Sequence, residues 1–227
     1  MFQFAAVSLF FGFYAIGIVS AFKFKNRVPT AYPDEFSINF VGNVTTDLST
    51  PVMPIDGVMY YNWNEKMQRV DHGGGSYECV HFYGTNEDCS IYFTPDGLYR
   101  VLSAPLPEGQ EECCLDMVDI HATPPDWAIT TNPTYNGIVL DEYSNVLTHK
   151  YTFDADGSDT PHMYYEAASA SPSAPDGAPV KFTFPVDDGR QDFRYDPKSM
   201  KVEPQDASLF VLPDGCQNKL CDTPSRR

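Results

Sequence analysis

Short runs in which apolar and polar residues alternate recur along most of this chain. Phe36-Ser37-Ile38-Asn39-Phe40 is the clearest, and a period of two places its three apolar residues on one side of a half-buried strand. Val58 to Trp63 and Met67 to Val70 follow, with Asn64-Glu65-Lys66 as the turn between them. Further strands are expected over Tyr77 to Tyr83, Cys89 to Phe93, Leu98 to Leu102, Leu115 to His121, Tyr135 to Asp141, Val146 to Phe153, His162 to Ala168, Val180 to Phe184 and Gln191 to Tyr195. Pro95-Asp96-Gly97 joins two of them as a hairpin, because Pro fixes φ and Gly accepts a positive φ. A spacing of roughly 8 to 15 residues with turn signals between predicts a mainly β, antiparallel sheet. Helical periodicity is poor, and only Pro125 to Ile129 and Asp206 to Leu212 read as single turns. Ala167 to Pro179 is low-complexity and reads as an exposed loop. No internal repeat and no second domain are visible.

The N-terminus departs from this pattern. It is uncharged through Phe22, apolar from Phe4 to Val19, and ends in Val19-Ser20-Ala21. Small residues at −3 and −1 suit a signal peptidase, so residues 1–21 are expected to be a signal peptide. The alternative is a retained membrane anchor, since the apolar run approaches the roughly 20 residues that span a bilayer. Lys23, Lys25 and Arg27 would then hold the body of the protein on the cytoplasmic side. Residues 22–35 are read as an N-terminal extension and 36–227 as one β domain. The expected location is secreted, or the endomembrane lumen or cell surface. Ser20-Ala21-Phe22 also resembles the Phe-led junction of plastid-directed leaders in algae with secondary plastids, which makes a plastid the alternative.

Six cysteines agree with export. They are Cys79, Cys89, Cys113, Cys114, Cys216 and Cys221. Neighbouring residues cannot easily bond to each other within normal disulfide geometry, so Cys113 and Cys114 should reach separate partners. Six cysteines allow 15 pairings, and this exclusion leaves most of them open. No C-x-x-C and no His at ligand spacing supports zinc. Asn43-Val44-Thr45 is a glycosylation sequon.

Charge narrows the partners. The chain has 31 Asp plus Glu against 15 Lys plus Arg, a formal net charge of −16. That field repels phosphate backbones, so nucleic acid is excluded, while cationic ligands and divalent metals are attracted. A solvated acidic surface is the simpler account. Aromatic residues are plentiful, with 14 Tyr and 16 Phe; they favour strands and suit apolar pockets.

Several segments taken in order resemble the ependymin-related family, particularly its secreted members outside vertebrates. These are Gly57-Val58-Met59-Tyr60-Tyr61-Asn62-Trp63 with Arg69 after it, the Cys113-Cys114 pair, and Pro125-Asp126-Trp127 followed by Tyr135-Asn136-Gly137. Met163-Tyr164-Tyr165 ahead of Pro179-Val180, and Leu209-Phe210-Val211-Leu212-Pro213 before Cys216, complete the set. The cysteine spacing and the Ala/Ser/Pro insertion depart from the vertebrate proteins. The resemblance implies a strongly curved antiparallel sheet, a half-barrel like that of the LolA-type lipoprotein carriers, around a deep apolar pocket. It implies lipid or other hydrophobic ligands, calcium in some members, and no catalytic residues. A curved sheet with few amphipathic helices leaves its concave face to a ligand or partner. Tyr61, Trp63, Tyr92, Trp127, Tyr135, Tyr165, Phe182 and Phe184 are the candidates for its lining.

Other chemistry is thinly supported. Asp154-Ala155-Asp156-Gly157-Ser158-Asp159 lacks the glycine position and the bidentate Glu of an EF-hand and reads as an acidic turn. His72-Gly73-Gly74-Gly75 reads as a loop between strands. No zinc spacing links His72, His81, His121, His149 and His162, and His121 reads as a core or edge histidine. There is no G-x-S-x-G elbow. The leading function is therefore a non-enzymatic carrier or receptor for a hydrophobic small molecule or lipid. A structural or interaction subunit of an extracellular, lumenal or membrane-associated assembly is the alternative, and a secreted hydrolase with paired carboxylates comes third.

Overall fold

A computed structural model describes residues 27–45, 52–103, 113–153, 161–169, 174–186, 189–216 and 220–221. The expected leader at residues 1–21, the expected acidic turn from Asp154 to Asp159 and residues 170–173 of the Ala/Ser/Pro segment lie outside the described residues. Among the described residues, eleven strands form one curved, open sheet, and every neighbouring pair within it is antiparallel. Five hairpin steps lead from β1 (Glu35–Thr45) at the centre through β2 (Met53–Asn62), β3 (Met67–His72), β4 (Cys89–Thr94) and β5 (Gly97–Leu102) to β6 (Cys113–Met117) at one edge. Residues 118–133 then cross to the other edge. From there β7 (Thr134–Asp141), β8 (Val146–Phe153), β9 (His162–Ala167), β10 (Pro179–Val186) and β11 (Gly189–Tyr195) step back, until β11 pairs with β1.

The alternation read from the sequence sets the two faces. Phe36, Ile38 and Phe40 of β1 are buried and sit opposite Tyr61, Met59 and Gly57 of β2. Gly57 matters here, because an added Cβ would run into the Asp71 carbonyl oxygen and lie 2.9 Å from the tip of the Phe40 ring. The Pro95-Asp96-Gly97 hairpin forms as expected, with Gly97 at φ 134°. A Cβ there would run into the Met117 carbonyl oxygen and lie 3.0 Å from Leu115 Cδ1, so Gly is required as β6 passes beside it.

Two short helices interrupt the strands among the described residues. Residues Tyr77 to Tyr83, expected as a strand, form helix α1 (Tyr77–Tyr83). Gly84 ends it in the left-handed conformation, donating its N–H to Val80 O. Cys79 and Tyr83, one helical turn apart, face the same cluster around Cys89 and Leu102. Strand β6 stops at Met117, short of the expected His121, which is exposed and places Nδ1 3.1 Å from Thr94 O. The turn foreseen at Pro125 to Ile129 is α2 (Trp127–Thr130), and that from Asp206 is a 3-10 turn at Ala207–Phe210. The ends of the expected exposed loop are not exposed: Ala167, Ala168 and Ala178 are buried beside Val146 and Val180.

Disulfides join Cys79 to Cys89, Cys113 to Cys216 and Cys114 to Cys221. The vicinal pair separates because successive strand residues point to opposite faces. Cys216 and Leu212 cover Tyr92, Tyr99 and Val101, while Leu220 forms a parallel bridge with Leu115 along the outer edge of β6. Three disulfides mark an oxidising, non-cytosolic location. Among the described residues no helix is long and apolar enough to cross a membrane.

Candidate binding site

The concave face is closed at one end by the chain itself. Glu166, fully buried on β9, accepts a hydrogen bond from Thr30 N at 2.7 Å and one from the Tyr151 hydroxyl at 3.0 Å. Arg27 stands 3.7 Å away, and burial pushes the Glu166 carboxyl above its ordinary pKa. This anchor leads residues 27–32 over the sheet. Tyr32 lands between Phe36, Tyr61, Trp127 and Tyr164, with ring centroids 5.5 to 6.5 Å apart. Its N–H donates to Pro125 O at 2.9 Å, which ties the segment to the crossing that carries α2.

Between α2 and α1 the concave face is uncovered, leaving a cavity of about 860 Å³. That is within the range of ligand pockets, roughly 300 to 1,000 Å³. Strands β10 and β11 supply a continuous aromatic wall: Phe182 to Phe184 at 5.3 Å, Phe184 stacked on Phe193 at 5.9 Å, and Phe193 beside Tyr195 at 6.5 Å. Trp127 packs edge-on against Phe182 at 5.3 Å and tilts toward Phe153 at 5.6 Å. Opposite them, Val70, Ile91 and Phe93 present aliphatic and aromatic surface from β3 and β4. Phe93, Phe182, Phe184 and Phe193 are only partly buried although they face inward.

Polar groups gather beside α1. Glu78 and His72 are 6% and 3% exposed, and Glu78 Oε1 accepts from Gln191 Nε2 at 2.6 Å. Glu78 Oε2 lies 3.3 Å from His72 Nδ1, within ion-pair distance but without hydrogen-bond geometry. Burial pushes the Glu78 carboxyl up to about 7, with the negative field of Asp56 adding to it, and pushes the His72 imidazole down to about 4. Desolvation dominates both, so between about pH 4 and 7 the pair is an uncharged carboxyl facing an uncharged imidazole.

Of the eight lining candidates, Trp127, Phe182 and Phe184 line the cavity. Tyr61 faces inward but is buried beneath the crossing, its hydroxyl donating to Thr123 O at 2.8 Å. Tyr135 packs on Tyr151 at the β7 edge, with its hydroxyl 3.0 Å from His149 Nδ1. Trp63 packs against the β1–β2 core, with the Lys66 ammonium 5.8 Å from its ring. Tyr92 and Tyr165 are on the other face: the Arg69 guanidinium lies 5.2 Å from the Tyr92 ring, and Lys150 and Lys181 each lie 5.7 Å from that of Tyr165. Phe40, Phe193, Tyr195, His72 and Glu78 line the cavity without being among the candidates. Phe40, Phe193 and Tyr195 stand within strands legible from alternation, so only the identity of the inward face was missing.

Asn43 lies on β1, partly buried, in a second groove with Asp141, Glu142, Tyr143 and Arg194. Among the described residues no group of three or more His, Cys, Asp or Glu is placed to hold a metal ion.

Fold and site together define an open antiparallel sheet cupping a mostly apolar cavity. No family model and no curated protein matches the chain. Among solved structures it is similar to an uncharacterized conserved protein from Thermus thermophilus, at 12% identity and a TM-score of 0.46, over 82% of this chain and 89% of that one. It is also similar to LprF from Mycobacterium bovis, at 16% identity and a TM-score of 0.37, over 71% of this chain and 84% of that one.

Proposed function

We propose that this protein is a non-catalytic carrier or receptor, exported into an oxidising compartment, that holds a hydrophobic small molecule or lipid in the concave cavity. The observation that carries the reading is the row of inward-facing rings, Phe182, Phe184 and Phe193, left partly uncovered. Burying apolar surface is worth about 25 cal/mol per Å², so a ligand covering those rings gains what the fold leaves unused. The ependymin-type resemblance supports the same reading, as does the leader expected at residues 1–21.

A native mass spectrum of the protein from its own source, before and after organic extraction, tests it. The expected result is an extractable apolar adduct on a chain that lacks residues 1–21. A bare chain in every preparation would remove the carrier reading.

One observation favours a second reading, an interaction subunit. Apolar side chains are exposed near both sheet edges: Met117, Val118 and Ile120 at and beyond the end of β6, and Ile138, Leu140 and Leu147 on β7 and β8. Exposed apolar groups at a sheet edge suit a protein partner. Co-purifying subunits without an adduct in the same spectrum would favour it.

A further inference from the structure

Gln68, Thr123, Thr131 and His162 line the cavity at less buried positions, and its buried polar side chains lie in one corner. Glu78 enters from α1 and His72 from the end of β3, both more than nine-tenths buried. Glu78 Oε2 and His72 Nδ1 stand 3.3 Å from each other without hydrogen-bond geometry and have no other partner among the described residues, although Glu78 Oε1 is held by Gln191. Buried polar atoms in folded proteins are nearly always paired, so two orphans at the rim of an apolar cavity point to a missing partner. Asp56, whose backbone N–H bonds the Ser76 hydroxyl just ahead of α1, adds negative potential at Glu78. Among the described residues no Lys or Arg lines the cavity.

An anionic head group placed here would lose its hydration, meet a carboxyl and find no positive charge to replace the water. A hydroxyl or ammonium group meets the opposite situation. It can donate to Glu78 Oε2, and an ammonium is further favoured by the acidic surroundings. The aromatic wall from Phe184 to Trp127 leads away from this corner and can cover an alkyl chain.

We propose that the cavity selects an amphiphile whose polar end is a hydrogen-bond donor without negative charge, an amine or an alcohol, and that Glu78 is the acceptor that reads it. This rests on the hydrophobic-ligand reading above.

Four probes of equal chain length separate the two claims: decylamine, decanol, decanoate and decyl phosphate, titrated calorimetrically into the full, delipidated protein. Decylamine and decanol are expected to bind about tenfold or more tightly than the two anions, the scale of one hydrogen bond to a charged group. At about pH 8, where the Glu78 carboxyl is ionised, the amine should lose about tenfold relative to the alcohol in E78Q, because the charge is gone while an acceptor remains. Equal affinity for all four, or tightest binding of decanoate, overturns head-group selection and leaves the hydrophobic-ligand reading standing. Binding of none removes both. Should E78Q fail to fold, the four wild-type affinities still decide the matter.

Discussion

Glu78 and His72 meet the same burial with opposite effects on the pH dependence of folding. The folded carboxyl is raised from 4.5 to about 7. Between those values the native state binds more protons than the unfolded chain, so its contribution to stability falls as pH rises. The imidazole is lowered from 6.5 to about 4, the unfolded chain binds more protons in that window, and stability rises with pH. Where the windows overlap, folding moves a proton between the residues without changing the number bound. The intact pair should therefore give a nearly flat stability profile from about pH 5 to 6. His72→Gln should unmask a loss on the order of 3 kcal/mol as pH rises from about 4.5 to 7, and Glu78→Gln a comparable gain from about pH 4 to 6.5. Urea unfolding at stepped pH measures all three profiles. Flat profiles in both variants would mean that the two groups are not desolvated.

Parity along a strand is legible in the sequence, but the face is not. Tyr61 and Phe182 look no different from Tyr92 and Tyr165, because all four are aromatic residues in strands. Which way each points depends on register, for instance Phe182 opposite Phe193, and register is set by pairing between strands. The carboxyl-imidazole corner is hidden for a different reason. His72 ends a strand and Glu78 stands in a segment whose composition mimics one, so nothing local brings them together.

Elements are legible where local chemistry agrees with the fold, and misleading where it does not. Tyr77 to Tyr83 carries Tyr, Val, Cys and Phe, a composition that favours strands. The three preceding glycines and Gly84 are the contrary signals, marking a broken strand and a helix end. For the vicinal cysteines, geometry requires separate partners, but the choice of Cys216 and Cys221 depends on the path of the C-terminal segment over β6. The Cys113–Cys216 bond spans a sequence separation of 103 residues. Replacing both cysteines by Ser should nevertheless cost only about 2 kcal/mol in loop-closure entropy, because the Cys114–Cys221 bond still closes nearly the same loop. Equilibrium unfolding of the double variant checks it, and an unchanged midpoint would deny the bond a structural role. Gly57→Val tests how closely β1 and β3 flank β2, since the new side chain would run into the Asp71 carbonyl oxygen as well as the Phe40 ring. A loss of about 1 to 3 kcal/mol is expected from overpacking, whereas a neutral result would contradict the placing of Gly57 against Asp71 and Phe40.

At the scale of the molecule, the sheet is open and its ends are treated differently. β6 is covered by the Leu115 to Leu220 bridge and its disulfide, while β7 carries exposed Ile138 and Leu140. The concave face is filled at one end by Tyr32, Tyr61 and Tyr164 beneath α2, and left uncovered toward α1. Curvature and the shortage of helices are foreseeable from the strand pattern and the family resemblance. Where the face stays uncovered is not, because Tyr32 comes from a segment that reads as an extension and is held by Glu166 far along the chain.

On the proposed function, apolar ligands enter the concave cavity and do not merely cling to the exposed edges. Titration of the neutral lipophilic dye Nile red into the delipidated protein and into a Val70→Trp variant separates the two most directly. Val70 faces the cavity from β3, so an indole there fills it without touching β6 or β7. A cavity carrier should bind one dye per chain and lose about tenfold or more in affinity in the variant, the scale set by excluding a ring-sized apolar contact. Equal affinity in both proteins, with the circular dichroism spectrum unchanged, would place binding on the edges and contradict the account.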